Sequence, residues 1–273
     1  MGAHKQRRKI MLKRAAAVIA FIGLMAGFAY AGSGAGTGIN GSMHDINSAA
    51  GYTGDVLQRS CVFCHTPHNA QANGSVPAPL WNHAPSAVTL APYTWAAPAN
   101  QPIAFNTDPL IGPSRLCMAC HDGVTAVDSH GNGGLGNSAA SGTTLMTSHY
   151  TDGIGGNAKR FITDLTVTHP IGFLYQDALN ERGSNVEIVP ASNKFITGAT
   201  SELYAANFDT KNRTIATDGK KISDTLYGGY MTCASCHEVH NTNNAKPDAG
   251  HSYNYFLLAK EEGSAICLSC HIK

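Results

Sequence analysis

The sequence contains no cysteine outside one repeated motif, and this absence limits the kinds of site that its cysteines can form. All eight cysteines belong to four Cys-X-X-Cys-His segments. None remains for a structural disulfide or a catalytic thiol. No cysteine lies at the end of the apolar run near the N-terminus, which excludes a lipoprotein.

Long amphipathic helices and long apolar runs are also missing beyond residue 31. Glycine is abundant, at 29 residues, and residues 32–42 and 131–143 are rich in glycine and serine, as loops are. We therefore predict less secondary structure than soluble domains usually have. We also expect bound cofactors, rather than the chain's own side chains, to form the core.

The four repeated motifs carry the signature of c-type haem attachment. In such a motif the two cysteines form thioethers with the haem, and the histidine binds the iron as its proximal ligand. The cysteines are Cys61, Cys64, Cys117, Cys120, Cys233, Cys236, Cys267 and Cys270, and the proximal histidines are His65, His121, His237 and His271. Zinc ribbons also use paired cysteines, but they do not need a histidine after each pair. The sequence predicts four covalently bound haem c groups.

Residues 1–31 have the pattern of a secretory signal peptide. A basic stretch precedes the apolar run Ala15 to Phe28, which is short for a bilayer span, and Ala29-Tyr-Ala31 fits a cleavage site. An uncleaved anchor is the alternative. We expect a secreted protein, extracellular or at the cell surface, with the periplasm as the alternative location.

The charge balance of the expected mature chain is acidic. Removing six of the 19 basic residues and none of the 18 acidic ones leaves a net charge of −5, and haem propionates would add to it. This argues against nucleic acids and anionic membrane surfaces as partners. After signal cleavage we expect no membrane span.

Motif spacing predicts one tetrahaem domain over residues 32–273. A first haem pair falls in 32–128, a wrapping insert in 129–228 and a second pair in 229–273. The expected fold is a multihaem cytochrome c of mostly irregular loops, short helices and few short strands around four stacked haems.

A few local elements can be placed from the residue pattern. We predict short helices over Ser114–His121 and over Ser264–His271, the second capped by the Ser264 side chain. A hairpin is predicted over 213–222, turning at Asp218-Gly219. Residues 161–175 are expected to be partly extended and interrupted at Pro170.

Each iron also needs a sixth ligand or an open site for chemistry. His68 and His240 each follow a proximal histidine by three residues, too close for their own iron but well placed for a neighbouring one. His169 is a polar ring in an apolar stretch. His44 precedes Asp45, which we expect to hold its outer nitrogen. These four are the predicted distal ligands.

Other residues compete for that role. His83 is the reserve candidate, and His130, His149 and His251 are interpreted as surface residues. Methionine is the competing ligand type and raises the reduction potential. The methionines beyond the signal segment are Met43, Met118, Met146 and Met231.

Several segments together resemble the extracellular multihaem cytochromes of metal-reducing bacteria. The matching segments are Met43-His-Asp-Ile46, Cys61-Val-Phe-Cys-His-Thr-Pro-His-Asn69, Leu80-Trp-Asn82, Arg115 to Gly123, Asp164 to Phe173 and Cys267 to Lys273. The resemblance covers the chain in patches and matches the long insert poorly. It is strongest to tetrahaem members of the cytochrome filament, or nanowire, family.

The resemblance implies close-packed bis-histidine haems and a helical homopolymer in which one distal ligand comes from the next subunit. His68 matches the position that supplies this ligand in related six-haem filament cytochromes. Other redox proteins or extracellular electron acceptors are the implied partners.

On this basis we expect an electron conductor rather than an enzyme. A soluble periplasmic carrier and a haem subunit of a membrane oxidoreductase are the alternatives, and a multihaem reductase is a third.

Overall fold

The computed structural model describes residues 38–48, 54–55, 57–68, 70, 80–86, 88–93, 108–128, 161–183, 186–198, 214–215, 221–242 and 255–272. Within them, α-helices span Pro113–His121, Tyr175–Arg182 and Ala265–Leu268. The 3₁₀ turns are Ser60–Phe63, Leu165–Val167, Ile222–Thr225, Cys233–Ser235 and Glu262–Ser264. Strands Ile196–Gly198 and Thr214–Ile215 pair antiparallel.

Each haem motif begins in a helical turn. The His65 amide donates to the Cys61 carbonyl at 2.8 Å, and His237 and His271 make the same bond within their motifs. Residues four apart on a helical turn share a face, so each turn presents its first cysteine and its histidine together. The repeated sequence therefore folds into a repeated local structure.

The predicted helix before His121 is confirmed, and it starts at Pro113. Proline suits the first helical turn because it has no amide hydrogen to leave unbonded. Gly112 precedes it with φ of 56°, and a Cβ there would lie 2.4 Å from the Tyr227 ring. Only glycine therefore fits at this helix start.

Two local predictions are wrong. Ser264 has φ of 61° and makes no side-chain cap, and the helix after it covers only Ala265–Leu268. Thr214 and Ile215 pair with Ile196–Gly198 rather than within a 213–222 hairpin, and Ile222 begins a 3₁₀ turn. The predicted turn at 218–219 lies outside the described residues, as do residues 32–37 and 131–143 of the predicted loops.

Three motifs are held by the same two-bond bridge to a distant segment. In the first, Thr66 donates to the Leu80 carbonyl at 2.9 Å and Asn82 donates to the Cys64 carbonyl at 2.7 Å. Phe256–Leu258 binds the third motif in this way, and Glu187–Val189 binds the fourth. An apolar residue thus lies opposite each of these proximal histidines, namely Trp81, Leu257 and Ile188.

An apolar core built from the chain's own side chains surrounds the fourth motif, contrary to the expectation that cofactors alone form the core. Its buried members are Phe173, Tyr175, Ala178, Leu179, Ile188, Val189, Phe195, Ile222, Met231, Leu258 and Ala259. The Tyr175 hydroxyl donates to the Val189 carbonyl at 2.8 Å. Part of the predicted wrapping insert is therefore a packed scaffold.

Two of the competing methionines are packed in apolar clusters. Met118 is fully buried beside Leu90, Leu110 and Leu165, and Met231 belongs to the core around the fourth motif. Met146 lies outside the described residues. No helix in the described ranges has the length and apolarity to cross a bilayer; residues 1–31 lie outside those ranges.

Candidate functional site

Three proximal histidines each face one of the predicted distal histidines. The ring centres are 6.3 Å apart in His65–His240, in His121–His44 and in His271–His169. The sequence separations are large, so the fold creates these pairs. Each pair combines one histidine from a motif with one from outside the motifs.

This separation fits one metal ion between the two rings. A metal lies about 2.0 Å from an imidazole nitrogen and the ring centre roughly 1.1 Å beyond it, so two opposed imidazoles have centres about 6.2 Å apart. The distance alone is not specific, since Trp81 and His83 have the same separation. The three pairs are distinguished by their residues, because each joins a histidine of a Cys-X-X-Cys-His motif to a predicted distal histidine.

Oxygen atoms lie beside the Nδ1 atoms of three of these histidines and of the proximal candidate His237, as is usual for metal-binding imidazoles. His44 Nδ1 lies 3.3 Å from the Val239 carbonyl, and His169 Nδ1 lies 2.9 Å from the Pro170 carbonyl. His237 Nδ1 lies 2.8 Å from the Tyr255 carbonyl. His240 Nδ1 lies 3.3 Å from a Glu238 carboxylate oxygen. In each case none of the described hydrogen bonds involves Nε2.

Two of these histidines are also biased toward the neutral form. Desolvation and the neighbouring His121 lower the pKa of His44 to about 4. Desolvation is likewise the main cause of the lowered pKa of His237. Metal binding requires the neutral imidazole, so the surroundings favour the state that binds iron.

His237 and His68 are not brought together. No histidine ring among the described residues faces His237 at the separation of the other pairs. His68 is exposed, and none of the described hydrogen bonds, ion pairs or ring contacts involves it. One proximal and one predicted distal histidine therefore remain.

His83, the reserve ligand, is placed differently. Its ring is fully buried. Nδ1 lies 3.0 Å from the Ala84 carbonyl, and Nε2 lies 3.2 Å from the Val127 carbonyl and 3.4 Å from Cys120 Sγ. With both nitrogens facing oxygen atoms, His83 has none to offer an iron in this conformation. His130, His149 and His251 lie outside the described residues.

The expected bond between Asp45 and His44 is absent. The Asp45 carboxylate instead accepts hydrogen bonds from the Gly41 amide and the Ser60 hydroxyl. A neighbour in sequence is badly placed to reach the outer nitrogen, and the Val239 carbonyl takes that position. Asp45 therefore ties the segment before His44 to the first haem motif.

The segment Tyr255-Phe256 supports two of the histidines. The Phe256 ring stacks on His44 with centres 4.5 Å apart, while the Tyr255 carbonyl faces His237. Both residues have left-handed backbone angles, φ of 54° and 59°. We call this pair the aromatic turn. Its role has no sequence signal, because it depends on a carbonyl and on backbone geometry.

Cysteines of successive motifs lie near one another in the fold. Cys64 contributes to the raised pKa of Cys120, Cys117 to the lowered pKa of Cys233, and Cys267 to the raised pKa of Cys236. Burial raises the pKa of Cys64 and of Cys236 to about 11. All eight are unpaired. Successive motifs are thus neighbours in space.

The ring planes predict two classes of electron paramagnetic resonance signal. The planes are 18° apart in His65–His240, but 59° and 67° apart in the other two pairs. Near-parallel axial imidazoles separate the energies of two iron d orbitals, whereas crossed imidazoles leave them similar. We expect one rhombic low-spin signal and two strongly anisotropic ones in the oxidised protein. Four identical rhombic signals would contradict this.

No group of three or more metal-ligating side chains converges within the described residues, and a haem iron needs only two axial histidines. Compared with known proteins, the chain matches no protein-family model and no curated protein. The function of the site must therefore be inferred from its geometry.

Proposed function

We propose that the chain is a tetrahaem c-type cytochrome that conducts electrons outside the cell as the subunit of a polymeric filament. The observation that supports it best is the set of three opposed histidine pairs, in which each described Nδ1 anchor leaves Nε2 free for iron. Haem supplies the one-electron chemistry when bound. At these three pairs the chain's residues would hold the iron on both sides and leave no coordination position for a substrate.

The order of the motifs supports conduction. Neighbouring cysteines connect the first motif to the second, the second to the third and the third to the fourth. His240 belongs to the third motif's segment but faces His65 of the first. The proposed attachment sites therefore follow one another as neighbours, as conduction from iron to iron would require.

The polymer is supported by the two remaining histidines. His237 lacks a described ring opposite it, and His68 is exposed. If His68 binds the iron at His237 of the next subunit, each copy both donates and receives one ligand. Such a contact joins unlike surfaces and does not close on itself, so it generates a helical filament.

Covalent haem content tests the first part of the proposal. We expect the mature protein to carry four haem groups, visible as four haem additions in its intact mass. All eight thiols should be unreactive toward alkylating reagents. A mass with three haems, or any alkylated cysteine in the matured protein, would contradict it.

A second candidate function rests on His237, which faces no other histidine ring within the described part of the chain. In a monomeric carrier or a reductase, that iron would keep an open position. Carbon monoxide added to the reduced polymer distinguishes the cases, because an open iron binds it and a bis-histidine iron mostly does not. We propose that the polymer does not bind it and that the protein is not an enzyme.

A further inference from the structure

The carboxylate of Glu238 is fixed against one axial histidine. Its Oε1 accepts a hydrogen bond from the His240 amide at 2.8 Å and lies 3.3 Å from His240 Nδ1. Its Oε2 accepts bonds from the amide and the hydroxyl of Thr242, at 2.6 and 3.0 Å. The Glu238 side chain is only 15% exposed, so these bonds determine its position.

The other Nδ1 anchors described are neutral. They are the backbone carbonyls of Val239, Pro170 and Tyr255. A carboxylate that accepts the Nδ1 proton makes the imidazole a more basic ligand. A more basic ligand and a nearby negative charge both stabilise ferric over ferrous iron. Among the described Nδ1 anchors, the one on His240 therefore carries a charge and the other three do not.

We infer that Glu238 lowers the reduction potential of the iron held between His65 and His240 below that of the same iron with a neutral anchor. This rests on the proposed haem function. The step involved is the transfer of one electron between this iron and a neighbouring iron, with no proton moved and no bond broken. Glu238 acts through His240 and is a positioning residue that sets where electrons are released most readily.

The test is a redox titration followed by the rhombic low-spin signal, which the 18° ring angle assigns to this site. Glu238→Gln keeps the side-chain shape but removes the charge. We expect the signal to remain low-spin. The ratio of reduced to oxidised iron at a given applied potential should rise about tenfold, which is 59 mV for a one-electron couple.

A second variant is expected to shift the reduction potential of the same iron in the opposite direction. Thr242→Val removes the hydroxyl that donates to Glu238 Oε2, so the carboxylate should bind the His240 proton more strongly. We expect the same signal to move to lower potential. This variant keeps the carboxylate, so it remains informative if Glu238→Gln releases His240 from the iron.

The charge-matched control is Glu261→Gln. Glu261 acts on His237 only through space, as the weakest of the causes that shift its pKa. We expect a smaller change, at a different iron. Equal shifts from Glu238→Gln and Glu261→Gln would overturn the inference, as would an unmoved rhombic signal in both Glu238→Gln and Thr242→Val. Absence of low-spin haem signals in the wild-type protein would instead contradict the proposed function itself.

Discussion

Replacing His169 with alanine is expected to convert one of the four irons from low-spin to high-spin. His169 faces His271 with ring centres 6.3 Å apart, and its loss leaves that iron with an open position. In the reduced protein about a quarter of the haem should then bind carbon monoxide. The measurement is the electron paramagnetic resonance spectrum together with a carbon monoxide titration. His169 is exposed, so its removal should disturb the packing little.

The matched control is His83→Gln. His83 is another histidine outside the motifs, but both of its nitrogens face carbonyl oxygens. We expect it to retain every low-spin signal, although loss of its buried hydrogen bonds should lower the stability by about 1–3 kcal/mol. An unchanged spectrum for His169→Ala, or a high-spin iron in His83→Gln, would reverse the assignments of the two residues.

Replacing His68 with alanine is expected to abolish filaments and to leave one iron five-coordinate. The variant should stay monomeric at concentrations at which the wild type polymerises. Its iron at His237 should bind carbon monoxide when reduced. Wild-type subunits separated from the polymer should bind it as well, and they should lose this binding on reassembly. Electron microscopy of secreted material and carbon monoxide titration measure the two effects.

His240→Ala is the control for this experiment. His240 also follows a proximal histidine by three residues and is exposed, but it faces His65 of the same chain. This variant should gain one high-spin iron and still form filaments. Full-length, normally ligated filaments from His68→Ala would show that His68 does not join subunits. Wild-type protein that remains monomeric at high concentration would show that the chain does not polymerise.

Local spacing predicted the parts of the site that are close in sequence. The four-residue separation of Cys117 and His121, after Pro113, was enough to predict the helix that carries them. The position of His240 three residues after His237 suggested correctly that it would turn away from its own motif, and in the structure it faces His65.

The supporting contacts were not predictable, because they depend on backbone atoms that every residue has. The carbonyls of Val239 and Tyr255 hold His44 and His237, and nothing in those side chains indicates it. The bridges from Leu80–Asn82 and Phe256–Leu258 consist of two hydrogen bonds each. Such short pairings do not produce the alternation of apolar and polar residues that indicates a strand in the sequence. The apolar core was missed because its members come from several short segments, none periodic enough to indicate a helix or strand.

The aromatic turn has a consequence for the order in which the protein matures. A residue other than glycine in the left-handed region costs roughly 1–2 kcal/mol, and Tyr255 and Phe256 are two such residues in succession. Such a conformation persists only where surrounding contacts over-determine it. Those contacts include the His44 ring and the His237 Nδ1 atom. On the proposed function, iron would hold both histidines, so we expect the turn to be less stable in the chain before haem attachment than after it. The thiols of Cys233 and Cys236 would then stay accessible until the thioether bonds had formed.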